Sequence, residues 1–240
     1  MARRELEEIN AGSMADIAFL LLIFFIVTTT MDLEAGIPKT LPMKVEIDPN
    51  IELPDVRKRD IFSININAED NLLIEGEAAQ IKDLGPMLAE YYTANMYSLE
   101  SKPEHAEYIL RDINEVRAEL AAARQTLAEN EDDIISKSNV SKLEKRLNVC
   151  EVMPDGKFME IHETAAIQLK QKAGTSYGRY IEVQNEIGKT VNEIKTKRCK
   201  DVFNGLSFAD LDPKNEDDQE KLKILDILVP SRLLEPEITN

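Results

Sequence analysis

Residues 11–31 read AGSMADIAFLLLIFFIVTTTM, and Asp16 is the one charged side chain among them. As a helix this stretch covers about 31 Å, one hydrocarbon thickness. Its unbroken apolar core runs from Ile17 to Val27. Thr28, Thr29 and Thr30 do not end such a helix, because their hydroxyls can return to backbone carbonyls of the preceding turn. The segment reads as an uncleaved, single-pass transmembrane helix. A signal peptide, with Arg3 and Arg4 as its basic region, and a buried helix of a soluble core share part of the pattern. Three features weigh against a signal peptide. Glu5, Glu7 and Glu8 offset the basic charge, no A-x-A site follows Val27, and an acid opens the run.

Asp16 carries the sharpest physical signal in the chain. On insertion scales an ionised carboxylate near the middle of a membrane helix costs about 2.5–3.5 kcal/mol. Asp16 lies about 7.5 Å along the helix from Ala11. Leu20, Ile23 and Val27 follow it at i+4, i+7 and i+11 and form a helix-packing face. The same helix has no Lys, Arg or His to pair with it. The carboxyl is either a proton-titrating group within a helix assembly or a polar contact that only joins helices.

Outside this segment the chain is polar and acidic. It has 29 Lys and Arg against 45 Asp and Glu, a net charge of -16. Such a surface repels phosphate backbones, which argues against a nucleic-acid partner. Two cysteines do not make a disulfide scaffold or a structural zinc site. Cys150 and Cys199 are either free buried thiols or one disulfide. No phosphate loop, dinucleotide fingerprint or zincin motif is present, so the sequence implies no cofactor.

Residues 32–60 hold Pro38, Pro42, Pro49 and Pro54 and read as an extended linker, with a short strand at 43–47. In 61–77, Phe62, Ile64 and Ile66 alternate with Ile61, Ser63 and Asn65, and a turn at Glu69–Asn71 leads to Leu72–Ile74, which predicts a hairpin. A helix is expected over 81–92, weakened at its start by Gly85-Pro86. Residues 98–163 are a polar, helix-rich unit. There Ile109, Ile113, Val116, Leu120, Ala123 and Leu127 form a heptad seam. A return helix through Leu143 and Leu147 is expected after a break at Ser136–Ser141. The seam suits a hairpin packed on itself or a coiled coil with a partner. A strand at 164–170, a helix over 177–203 stopping at Asn204-Gly205, an acidic loop at 212–220 and an apolar run at 222–229 complete the reading.

Gly174-Thr175-Ser176-Tyr177-Gly178 matches the nucleophile-elbow pattern of serine hydrolases. In those enzymes the base His follows the Ser, whereas His105 and His162 both precede Ser176. The stretch reads instead as a strand-to-helix turn with Thr175 or Ser176 as N-cap. His162-Glu163 reads as a surface pair, and Asn139-Val140-Ser141 matches a glycosylation triplet by pattern alone.

Ile9-Asn10-Ala11-Gly12-Ser13-Met14-Ala15-Asp16, followed by the Leu- and Phe-rich run, resembles the ExbD/TolR family of biopolymer-transport proteins. Leu41-Pro42, the Ile66–Gly76 hairpin and Tyr177-Gly178 before an amphipathic helix extend the resemblance over 1–97 and 164–235. The stretch at 98–163 is an insertion relative to that pattern, and Lys172 stands where the family often has an Asp.

The resemblance implies an α+β protein and not an enzyme. It implies residues 1–10 as a cytoplasmic tail, 11–31 as the span, 32–60 as a linker, and a small periplasmic domain over 61–235 with its helical insertion. Localisation would be the bacterial inner membrane. Asp16 would be the intramembrane proton relay. The partners implied are the bilayer, a second copy of the chain, a ring of ExbB-like subunits and a TonB-like protein. A TolR-like role in envelope integrity, or a gliding or secretion motor, is the alternative within the family. A membrane-anchored periplasmic binding module is the alternative outside it. Charge counting leaves the orientation of the span open, since Arg3 and Arg4 precede it and Lys39 and Lys44 follow it.

Overall fold

The computed structural model describes residues 11–29, 57–97, 102–130 and 132–236, with the side chains of the first helix described from Met14 to Ile26. The chain divides into two units, Met1–Glu52 and Leu53–Asn240. The first contains helix α1, Ala11–Thr29. The second is α+β.

The sheet of the second unit is built on β1, Ile61–Ile66, with a strict alternation that buries Phe62, Ile64 and Ile66. Its antiparallel neighbour is β2, Leu72–Ile74, which pairs in turn with β3, Glu77–Ala79. Asn67 closes the first turn, its Oδ1 accepting from the amides of Glu69 and Asn71 at 3.0 and 2.8 Å. On its other edge β1 runs parallel to β6, Ala166–Gln171, which carries the two-residue β7, Leu233–Leu234. The order is β3-β2-β1-β6-β7.

Helices α2, Ile81–Thr93, and α5, Tyr177–Val202, supply Leu84, Leu88, Tyr91, Tyr92, Val183, Ile187 and Val191 to the core that includes Phe62, Ile64 and Ile66. Gly85-Pro86 does not disable the start of α2. A capping box between Gln80 and Asp83 secures it. A Cβ on Gly85 would lie 2.9 Å from Glu186 Oε1 and 3.2 Å from Thr190 Oγ1, so α2 approaches α5 closely at this glycine.

The insertion differs from the expected heptad unit in three ways. Ile109 belongs to a strand, β4, Tyr108–Asp112, which pairs antiparallel with β5, Lys157–Ile161. The seam starts at Ile113, where Asp112 caps α3, Ile113–Glu129. The break falls at 130–133, not at Ser136–Ser141. Asp133 caps α4, Ile134–Val152, and both serines lie inside that helix with Asn139-Val140-Ser141. Leu120, Ala123 and Leu127 pack against Val140, Leu143 and Leu147, so the hairpin covers its own seam. The unit is also continuous with the main core, to which Val116, Val149, Cys150, Phe158 and Ile161 belong.

The acidic stretch at 212–220 is not a loop throughout. Asn215 caps α6, Glu216–Leu228, and its side chain accepts from the amides of Asp217 and Asp218. Glu216, Asp217 and Asp218 then sit in the first turn, where the helix dipole favours negative charge. Within the apolar run Leu222–Val229, Ile224, Leu225 and Leu228 are the buried side of this helix.

The structure does not join Cys150 and Cys199. Both are free and fully buried, in different clusters: Cys150 in the main core, Cys199 with Leu211 and Leu225. Burial pushes both thiols above their usual range. The native protein is therefore expected to resist thiol reagents, and the denatured, non-reduced chain to label at two sites. Mass spectrometry of the labelled chain checks this, and a denatured chain carrying no label would restore the disulfide.

Candidate functional site

Asp16 lies in the second turn of α1, and its side chain is exposed. The helix around it has no polar side. Met14, Ile17, Phe19, Leu20, Leu21, Leu22, Phe24, Phe25 and Ile26 are each more than half exposed, and Ile23 is 42% exposed. Leu20 and Ile23 of the expected packing face are therefore uncovered within the described residues, and the side chain of Val27 lies outside them. A helix apolar all round is stable only when other apolar matter surrounds it. The side chains described on α1 extend over about 20 Å, and among the described residues no helix is long and apolar enough to cross a membrane. Between Met14 and Ile26 no Lys, Arg or His is available to Asp16.

A second polar locus opens the folded unit. It begins at the first described residues of that unit, and sequence reasoning missed it. Arg57 and Arg59 both reach the same oxygen of Glu107, Nη1 of Arg57 at 2.6 Å and Nη2 of Arg59 at 2.5 Å from Oε2. The next residue, Asp60, is completely buried. Its carbonyl accepts from the Tyr91 hydroxyl at 2.6 Å, and its Oδ2 accepts from the Thr164 hydroxyl. Burial pushes the Tyr91 phenol far above its ordinary range, so it stays a donor. Nδ1 of His162 is 2.6 Å from the same Thr164 hydroxyl. The backbone amide of His162 donates to the Glu107 carbonyl at 2.8 Å, continuing the β4–β5 ribbon past Tyr108. His162 is thus a half-buried part of a network, not the surface residue expected.

Glu163 is equally engaged. Arg146, only 5% exposed, donates Nε to Glu160 Oε1 and Nη2 to Glu163 Oε1, both at 2.9 Å. Lys142 adds a contact to Glu163 at 2.5 Å, and Arg111 completes Glu160 at 2.7 Å. This fastens α4 to β5. Pairing was unreadable beforehand because a strand partner 50 residues away leaves no periodic trace.

Ser176 acts as the N-cap of α5, its Oγ accepting from the amide of Arg179 at 3.2 Å. The Thr175 hydroxyl donates to the Asn67 carbonyl at 3.0 Å. Neither has a His beside it. Among the described residues no group of three or more His, Cys, Asp or Glu is arranged to hold a metal ion.

An apolar helix bearing one acid is followed in the chain by an α+β unit. The family profile described as biopolymer transport protein ExbD/TolR matches residues 2–195, so the chain belongs to that family. Its members are non-enzymatic proteins of transport and energy transduction that work in membrane complexes. No curated protein and no solved structure matches the chain. The bounds of the match enclose both Asp16 and the insertion.

Glu163 supplies a pH test of the network. Desolvation pushes its carboxyl up, but the hydrogen bonds and charges of Lys142 and Arg146 outweigh this and hold it down to about 2. A depressed carboxylate stabilises the folded state above its unfolded value of about 4.5 and loses that contribution as pH falls toward about 2. The side chain is half exposed, so solvent screening limits the effect at pH 7 to about 1 kcal/mol or less. Glu163→Gln is expected to flatten the acid limb of the stability curve between those two values. Denaturant unfolding of both proteins at pH 7, 4.5 and 3 checks it, with the difference shrinking as pH falls.

Proposed function

We propose that this chain is the proton-motive-force-driven, ExbD-like subunit of an inner-membrane complex that powers transport across the outer membrane. In this reading residues 11–31 span the membrane with 1–10 in the cytoplasm, and the unit that follows works in the periplasm. Two copies of the span sit inside a ring of ExbB-like subunits. Their motion reaches a TonB-like partner through the folded domain.

The observation that carries the reading is Asp16, an acid set in a helix whose every described face is apolar and which has no basic residue to pair with it. In hydrocarbon such a group is costly when ionised and cheap when neutral. Polar groups or water from a surrounding ring would let it change state, and each change alters how tightly the helix is held. One elementary charge moved through 100 mV is worth about 2.3 kcal/mol, enough to bias such a cycle.

Asp16→Asn keeps size and hydrogen bonding but cannot titrate. It is expected to insert and assemble normally, because Leu20, Ile23 and Val27 are untouched, and to abolish gradient-dependent uptake. Asp16→Glu, longer by one methylene, is expected to retain part of it. The measurement is uptake of a TonB-dependent ligand in cells holding normal amounts of assembled complex. Normal uptake and an intact envelope in both Asp16→Asn and Asp16→Leu would leave only a tether. Normal uptake combined with a leaky envelope in the Asn variant would favour the TolR-like role.

A further inference from the structure

Three glutamates meet over one apolar floor in the folded unit. The cleft they rim has a volume of about 250 Å³. Its floor is formed by Ile61 and Phe62 of β1 with Met87 and Tyr91 of α2. The rings of Phe62 and Tyr91 pack with their centroids 5.3 Å apart. Glu75, Glu90 and Glu104, all exposed, stand around this floor, and Arg59 and His105 complete the wall.

Each carboxylate reaches the rim from a different element. Glu75 occupies the β2–β3 turn at φ 52°, and its Oε1 accepts from the Ser63 amide, which holds the side chain beside β1. Glu90 lies on α2 three residues after Met87, on the same side of the helix. Glu104 belongs to a loop ordered by Asn95, which is 1% exposed. The Asn95 Nδ2 donates to the carbonyls of His105 and Ala106 at 3.3 and 2.8 Å, and its Oδ1 accepts from the Lys102 amide at 2.7 Å.

Charge in the cleft is unbalanced. Among the described residues Glu75 and Glu104 have no ion pair, and Glu90 has only His105, at 3.7 Å. Arg59 brings no relief, because its Nη2 is held by Glu107, which lies outside the cleft. Converging carboxylates repel one another, and an apolar floor strengthens the repulsion by lowering the local dielectric. A ligand that brings positive charge to the rim and an aliphatic stem to the floor relieves it. Lysine and arginine side chains have that form. Arginine suits the site better, since its planar guanidinium stacks on aromatic rings and forks between carboxylate oxygens. Size points the same way. Pockets for drug-sized ligands run from about 300 to 1,000 Å³, so this cleft takes one long side chain and not a whole small molecule.

We propose that the cleft is a docking site for an arginine side chain on a basic segment of a partner protein. The guanidinium sits among Glu75, Glu90 and Glu104, and its stem lies on Met87 and Phe62. The proposal goes beyond the energy-transducing reading and does not depend on proton chemistry at Asp16.

The test is an NMR titration of the isotope-labelled full chain, in non-ionic detergent, with the peptide acetyl-Gly-Arg-Gly-amide. Citrulline in place of arginine gives a neutral peptide of the same shape. The arginine peptide is expected to bind with millimolar affinity and to shift, saturably, the amides of Ile61–Ser63, Met87–Tyr91, Glu75 and His105. The citrulline peptide should bind at least about tenfold more weakly. Salt at about 1 M, where charges are screened beyond about 3 Å, should weaken the arginine peptide by a similar factor. Glu90→Gln combined with Glu104→Gln alters two exposed side chains that make no hydrogen bond, and should also cost about tenfold. Glu104→Lys alone should abolish detectable binding, while the amides of Ala166–Gln171 keep their positions as the sign of an intact fold. Equal binding of the two peptides overturns the proposal. So does unchanged affinity in the double variant, or shifts scattered over the acidic surface instead of confined to the cleft. Asp16→Asn should leave peptide binding unchanged, so failure of the proton reading appears in uptake alone.

Discussion

The parallel pairing of β1 with β6 is the constraint on which the folded unit depends. Residues 61–66 and 166–171 lie side by side in register, so the chain from 67 to 165 must link two parallel neighbours. Parallel neighbours cannot be joined by a tight turn. The chain solves this in two stages. The β2–β3 meander and α2 cover one edge and one face, and the β4–β5 ribbon then closes the remainder. Because that ribbon is antiparallel, the insertion begins and ends at adjacent points. Closing a long loop costs only slightly more than closing a short one, so an insertion of this length leaves β1 and β6 undisturbed.

Buried polar links hold the layers in place. The Tyr92 hydroxyl donates to the Pro230 carbonyl at 2.7 Å, and burial raises that phenol to about 12. The Tyr108 hydroxyl donates to the Tyr92 carbonyl at 2.7 Å. Together they join β4, α2 and the segment before β7. Arg232 donates to the carbonyls of His162, Glu163 and Ala165, ordering the turn between β5 and β6. Each link satisfies a carbonyl that the sheet leaves out, which apolar packing cannot do.

What the sequence disclosed follows from which signals are local. The β1–β2 hairpin was legible because alternation and turn residues lie within a few positions of one another. Ser176 was legible as a cap because its partner is three residues away. Asp16 was legible because solvent chemistry, not a neighbour, makes it costly, and its role is the proposal above. Ile109 was misassigned because its spacing fits a heptad as well as a strand, and only β5 decides. The acidic turn of α6 hid a helix start, since Asn215 and three acids serve a cap as readily as a loop. The locus at Arg59, Asp60, Glu107 and Thr164 was invisible, because its members come from three segments and share no motif. Lys195 and Asp226, paired at 2.6 Å between α5 and α6, escaped notice for the same reason.

The helical hairpin of the insertion has a mechanical consequence. With 17 residues, α3 reaches about 25 Å from the ribbon to the turn at 130–133. At the far end Ile134 and Ile135 are 80% and 65% exposed. A rigid arm of that length turns a tilt of about 10° at its base into a displacement of about 4 Å at its tip. The displacement that a given tilt produces at the tip is set by the number of helical turns and not by the strength of any contact along the arm.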